Sequence, residues 1–181
     1  MNIAVYCSSS NHIAEHYKQS AYQLGEWMAE NGHALIFGGA TGGLMSSISE
    51  GVSSKKGKII GVIPDAVIRM NRQSSLCTEL VIVESMSDRK AKMKAAADIF
   101  VVLPGSFGTL DELFDVLASG IVGEHKKETI IVNQNGFYDE LFLLTEKMIA
   151  EGFIPIVLFE PIIVSDISQC IQVIREISQH T

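Results

Sequence analysis

The sequence predicts an α/β domain: an open, Rossmann-like parallel sheet with helices on both faces, built as a single unit over residues 1–181. Three observations carry this reading. Short apolar runs of strand length alternate with segments of helical periodicity along the whole chain. Several of those runs lack polar alternation, as strands covered on both faces do. Three of the run-to-helix junctions are rich in small residues, and in a parallel sheet such junctions lie along one crest, where ligands bind.

The strand-like runs fall at residues 3–7, 34–37, 58–63, 80–83, 99–103, 129–132 and 162–164. Between the first two, Tyr17, Ala21, Leu24 and Met28 recur on one helical face. Residues 65–78 are polar and irregular, with Arg69, Arg72 and Gln73, and read either as a flexible loop over a site or as a plain surface connection. A helix begins near Ser85, and Met86, Arg89, Lys90, Met93 and Ala97 share its face. Leu110, Leu113, Phe114, Leu117 and Ile121 mark the next helix, and Leu141, Leu144, Met148 and Ile149 the one after. No repeat, low-complexity tract or linker divides the chain, and 181 residues suit one domain with a full core.

Composition narrows the function classes. A formal net charge of -7 lacks the basic footprint of a nucleic-acid or anionic-membrane surface, though it leaves room for a local basic pocket. Cys7, Cys77 and Cys170 are widely spaced with no CxxC pair, which fits a reducing compartment better than a disulfide framework or a zinc site. The N-terminus lacks the charged-then-apolar pattern of a secretory leader. Mean hydropathy is +0.25, yet the apolar runs are far shorter than the roughly eighteen residues a membrane helix needs. The expectation is a cytoplasmic protein.

The junctions carry the chemistry. They are Cys7-Ser8-Ser9-Ser10, Gly38-Gly39-Ala40-Thr41-Gly42-Gly43 and Gly105-Ser106-Phe107-Gly108-Thr109. The last follows the apolar run 99–103 and opens a helix, so its N–H groups point outward at the positive end of a helix dipole, a favourable place for a phosphate. Neither glycine loop ends in GK[ST], and neither fits G-x-G-x-x-G, so no dinucleotide cofactor is indicated. Asp111 and Glu112 are expected in the first turn of that helix. Acids beside an anion site call for cations, and Arg89-Lys90 stand just upstream; as cations in a first turn they oppose the dipole unless they meet an anion. The alternative is that they snorkel while their stems cover the methionine face. A phosphate-bearing substrate with a carboxylate at its reacting end accounts for these features together. Glu112 has a structural alternative too, as N3 partner of an N-cap Thr109 in a capping box. Cys7 reads as a small buried residue, His125 as a polar cap, and no spacing suggests a metal.

Gly38-Gly39-Ala40-Thr41-Gly42-Gly43-Leu44-Met45 and Pro104-Gly105-Ser106-Phe107-Gly108-Thr109-Leu110-Asp111-Glu112 resemble the two signatures of the Lonely Guy (LOG) family, phosphoribohydrolases that release cytokinin bases and were long labelled lysine decarboxylases. The family's PGGxGTxxE is preceded by M-x-x-R-K, matched by Met86 through Lys90. The resemblance runs from about Val5 to Pro155 and includes Gly61-Val62-Ile63-Pro64, Asn135-Gly136-Phe137-Tyr138 and Glu151-Gly152-Phe153-Ile154. It implies a homodimer that hydrolyses the N-glycosidic bond of a nucleoside 5′-monophosphate without metal or organic cofactor. Arg89 and Glu112 would be catalytic. Gly39, Thr41, Gly42, Gly43 and Met86 would line the substrate site, and Gly105, Ser106, Gly108 and Thr109 would hold the phosphate with Lys90 close by. Ser106 stands for the second glycine of PGG, Ala40 and Ser46 replace glycines of the first signature, and Ala118-Ser119-Gly120-Ile121-Val122-Gly123 replaces the usual Thr-Trp-x-Gln-Leu-Gly. A non-catalytic nucleotide-binding module on the same crest is the alternative function. The decarboxylase label lacks a Schiff-base lysine with a ring-nitrogen partner, which pyridoxal-phosphate chemistry needs.

Overall fold

The computed structural model describes residues 1–154 and 161–179; Pro155, where the resemblance ends, lies outside them. The strands are β1 (Asn2–Tyr6), β2 (Ala34–Phe37), β3 (Ile59–Pro64), β4 (Glu79–Val83), β5 (Ile99–Val102), β6 (Thr129–Val132) and β7 (Ile162–Val164). The helices are α1 (Glu15–Glu30), α2 (Gly43–Ser54), the short α3 (Asp65–Ile68), α4 (Met86–Ala96), α5 (Phe107–Ile121), α6 (Asp139–Ala150) and α7 (Ile167–Gln179). All seven strands join one parallel sheet in the order β4-β3-β2-β1-β5-β6-β7. The expected fold class is the observed one.

Period-two alternation of apolar residues produces the two layers. Ile3 and Val5 of β1 point into one core with Leu35, Phe37 and Val101, roofed by Leu24 and Met28 of α1 and Ile48 of α2. Ala4 and Tyr6 point into the other, with Ile36, Phe100, Met93 of α4, and Leu113 and Val116 of α5. Both faces of the central strands are therefore dry, which is why their sequences read as unbroken apolar runs.

Two of the apolar helical faces are only partly covered by the sheet. In α5 the buried line runs through Thr109, Glu112, Leu113, Val116, Ser119 and Gly120, leaving Phe114 and Ile121 exposed. In α6 no residue is fully buried, and Leu144, Met148 and Ile149 face outward with Leu143.

Candidate active site

The strand order reverses between β1 and β5, and the crevice of an open α/β sheet opens at such a switch point. The chain leaving β1 meets the chain leaving β5 there: Leu103 N–H donates to the Tyr6 carbonyl at 2.9 Å and Ser8 N–H to the Pro104 carbonyl at 3.3 Å. On the β5 side, the buried Tyr138 hydroxyl donates to the Leu103 carbonyl at 2.8 Å and fixes the start of the glycine loop from below.

The two glycine loops are not equivalent. At the α2 N-terminus the chain supplies its own acceptors. The Ser8 carbonyl takes the N–H groups of Leu44 and Met45 at 2.9 and 3.3 Å. Asn11 Oδ1 takes that of Gly43 at 3.0 Å, and Ser46 Oγ that of Gly42 at 2.8 Å. Thr41 gives both its N–H and its hydroxyl to the Arg72 carbonyl, and the Gly39 carbonyl accepts from Ser74 N–H. The Gly39 carbonyl and the N–H groups of Thr41, Gly42 and Gly43 are thus engaged within the chain, and this helix end has little left to offer an anion. Residues 65–78 complete this closure at Gly39 and Thr41. After α3 the segment lies across the first glycine loop, held by an Ala40–Gln73 bridge and by Arg72 Nη2, which donates to Ser9 Oγ and to the Thr41 carbonyl.

At the α5 N-terminus the donors stay open. Among the described residues, nothing accepts from the N–H groups of Phe107, Gly108 or Thr109, and Ser106, the N-cap, makes no capping bond with its side chain. Gly105 is required because a Cβ there would collide with Thr109 Oγ1. The capping box expected of Thr109 and Glu112 is absent. The helix begins two residues before Thr109, so Thr109 is at N3, while Asp111 and Glu112 belong to the second turn. An N3 role would place Glu112 at the rim; its real position turns it inward, 2 % exposed.

Glu112 meets Arg89 there. Arg89 Nη2 lies 2.9 Å from Glu112 Oε1, and Arg89 is itself 8 % exposed. The contact is off the hydrogen-bond direction, since Glu112 Oε1 and Arg89 Nε are both buried without a hydrogen-bond partner. Both atoms thus keep hydrogen-bonding capacity that the chain itself does not use. The snorkelling alternative for Arg89 is overturned: its guanidinium passes under the first glycine loop, where a Cβ at Gly38 would strike it. Burial pushes the Glu112 carboxyl up to about 7; Arg89 pulls it down, Asp111 raises it and Lys90 lowers it. The group therefore exchanges a proton near neutrality, as an acid–base catalyst does. Tyr6 and Cys7 lie on its β1 side, and burial, with the Glu112 charge adding to it, holds both well above their ordinary values. Cys7 is thus a protonated packing residue.

Lys90, one residue on from Arg89, reaches Asp111 Oδ1 at 2.7 Å. Met86 is exposed at the start of α4, its Sδ 3.8 Å from Arg89 Nη1. The α4 helix starts at the expected place, with Ser85 Oγ accepting from Asp88 N–H. His125 lies away from this cluster, its Nε2 2.9 Å from the Val116 carbonyl. Among the described residues, no group of three or more His, Cys, Asp or Glu side chains gathers into a metal site.

A protein-family profile described as "Possible lysine decarboxylase" matches residues 45–176. The cytokinin riboside 5′-monophosphate phosphoribohydrolase LOG of Oryza sativa subsp. japonica is 37 % identical over 152 residues, covering 84 % of this chain and 63 % of that one. LOG7 of Arabidopsis thaliana, with the same enzyme description, is 36 % identical over 152 residues, covering 84 % and 70 %. The chain belongs to the Lonely Guy family. It spans about two thirds of the length of these LOG relatives. Among solved structures, the molybdenum cofactor binding protein of Rippkaea orientalis superposes with a TM-score of 0.74 at 22 % identity, covering 97 % of this chain and 96 % of that one. The molybdenum cofactor carrier protein of Chlamydomonas reinhardtii gives 0.73 at 19 %. These two share the fold.

The departures from the LOG signatures have local physical accounts. Ser106 sits at φ -107°, in extended backbone open to any residue, so the glycine is dispensable there. Ser46 supplies the acceptor for Gly42 N–H. Ser119 returns its hydroxyl to the Asp115 carbonyl at 2.7 Å and so needs no outside partner. Tyr6, beside Glu112, carries no signal in the sequence beyond its apolar run, and Gly38 owes its place to the Arg89 guanidinium beneath it.

Proposed function

We propose that this chain hydrolyses the N-glycosidic bond of a purine or cytokinin nucleoside 5′-monophosphate, releasing free base and ribose 5-phosphate. The observation that carries the reading is the juxtaposition of a buried Arg89–Glu112 pair with the open N-terminus of α5. The phosphate would rest on the N–H groups at Phe107, Gly108 and Thr109 with the Ser106 hydroxyl beside them, which places the ribose over the pair. As the bond from C1′ to the base nitrogen breaks, C1′ gains oxocarbenium character. Ionised Glu112 would stabilise that cation and take a proton from the attacking water, whose oxygen bonds to C1′; the departing base nitrogen takes a proton from solvent water, and Glu112 then returns its proton to solvent. Arg89 would orient Glu112 and the ribose hydroxyls. Gly39, Thr41, Gly42, Gly43 and Met86 would wall the site, and no cofactor is required by this chemistry.

The alternative of a binder without turnover is less supported, because both catalytic side chains are present and Glu112 is poised near neutrality. Homodimerisation fits the apolar side chains left exposed on α5 and α6, and a cytoplasmic setting fits the three free cysteines. Among the described residues no helix is long and apolar enough to cross a membrane. Incubation with AMP and with isopentenyladenosine monophosphate, followed by chromatography for free base, tests the proposal. Base and ribose 5-phosphate in equal amounts are expected from at least one; intact nucleotides after prolonged incubation would refute it.

A further inference from the structure

Consecutive residues of α4 meet consecutive residues of α5. Arg89 faces Glu112 in the dry inner position, and Lys90 faces Asp111 in the wetter outer one, at 2.9 and 2.7 Å. One turn further along both helices Lys94 lies 3.2 Å from Asp115, and Lys90 also approaches Asp115 at 3.8 Å. The four-residue step is the same on both helices, so the contacts form a ladder between two parallel axes. The Lys90 side chain is 19 % exposed and sits against the second turn of α5, where its ammonium donates to Asp111. Its partnership with Asp111 raises its own proton affinity, so it remains charged throughout the working range.

We propose that Lys90 and Asp111 are positioning residues for the catalytic pair: their bond pins the Glu112-bearing turn of α5 to α4, and their opposite charges govern when Glu112 holds its proton. The proposal rests on the reading of Glu112 as the ionised catalyst, and it takes Lys90 away from the phosphate. The groups that bear on Glu112 are Tyr6 at the end of β1 and Cys7 just after it, Arg89 and Lys90 from α4, and Asp111 on α5, with Asp115 one turn further along acting on Tyr6. Tyr6 and Cys7 are neutral and Arg89 is constant, so Lys90 and Asp111 are the adjustable charges nearest the buried carboxyl. Glu112 is desolvated, so a charge on its neighbour acts with less screening than it would between exposed groups.

The signs are opposite, which makes the test specific. The pH profile of kcat/KM for AMP, or for whichever nucleotide the wild type cleaves, is measured for Lys90→Met, Asp111→Asn and the double variant. Asp111→Asn is expected to move the acid limb to lower pH and Lys90→Met to higher pH, each by about half a unit, or roughly threefold in rate on the acid side. The double variant returns towards the wild-type position, and Lys90→Arg, which keeps the charge, restores the limb lost in Lys90→Met. A purely structural role would slow both single variants without moving the limb. That result, or limbs moving in one direction, overturns the proposal. So does a Lys90→Met enzyme whose limb stays put while KM for AMP rises at every pH, since that places Lys90 on the phosphate. If the wild type releases no base, the functional reading has failed separately, and carbon-13 NMR titration of the Glu112 carboxyl in the same variants reads the shifts without turnover.

Discussion

Glu112 combines three properties in one side chain: it is buried, it touches a guanidinium, and it keeps an oxygen without a hydrogen-bond donor. Replacing it with Gln preserves shape and removes the charge. Turnover is expected to fall by about a hundredfold or more, the usual scale for losing one acid–base or electrostatic group. The same variant reports on stability. The carboxyl's proton affinity is raised on folding from 4.5 to about 7. Its favourable contribution is therefore complete below pH 4.5 and is lost as pH rises through 7. Glutamine does not titrate, so between pH 4.5 and 8 the wild type should lose on the order of 3 kcal/mol relative to Glu112→Gln. Urea midpoints of both proteins at pH 5 and pH 8 read that difference; parallel behaviour would show that Glu112 titrates normally. Ser106 offers a second prediction at this scale. Its hydroxyl caps nothing, so Ser106→Ala should leave stability unchanged while raising KM for the nucleotide about fivefold, the worth of one hydrogen bond of about 1 kcal/mol. An unchanged KM would remove the hydroxyl from the phosphate cradle.

At the scale of elements, two helix termini on one crest have opposite uses. The α2 end is closed by Ser8, Asn11 and Ser46, and the α5 end is left with unbonded N–H groups. Asn11→Ala should therefore cost about 1 kcal/mol of stability, as loss of an N-terminal acceptor does, whereas changes at the α5 end should act on ligand affinity. The first glycine loop earns its composition by packing as well. Gly38→Ala would drive a methyl into the Arg89 guanidinium. The expected result is a folded protein, destabilised by about 1–3 kcal/mol through overpacking, with turnover lost because Arg89 no longer reaches Glu112. A fully active Gly38→Ala enzyme would place the guanidinium elsewhere.

For the whole molecule, the question is what covers α5 and α6. Phe107 is 91 % exposed and Phe153 77 %, and Phe114, Leu143 and Leu144 are also open to solvent. Isolated exposed apolar groups are ordinary, but several on two successive helices fit the proposed dimer. Light scattering should give about twice the 19.7 kDa chain mass, and Phe114→Glu should shift the protein towards monomer. A wild-type monomer at micromolar concentration would refute the dimer.

The amino-acid sequence by itself determined the parallel α/β sheet, because alternation of apolar runs with helical periods admits few other layer arrangements. Three of the seven strands, at 34–37, 129–132 and 162–164, coincide with their apolar runs to the residue; β4 and β5 differ by one residue at one end, and β1 and β3 by one residue at each end. It also brought forward Arg89 and Glu112, through residue type and their place beside a glycine loop. It could not place Glu112 correctly along α5. Thr109-x-x-Glu112 fits a capping box with Thr109 as N-cap, but the N-cap is Ser106, and that three-residue displacement moves the carboxyl from the first turn to the second, where it faces the core. The unequal state of the two glycine loops was likewise undecidable from local pattern, since Ser8 and Asn11 reach α2 from across the crest and Arg72 reaches Thr41 from 31 residues away. Hydrogen-bond donors are closed or left open by partners distant in sequence, so only the tertiary structure decides which helix end remains free to bind a phosphate.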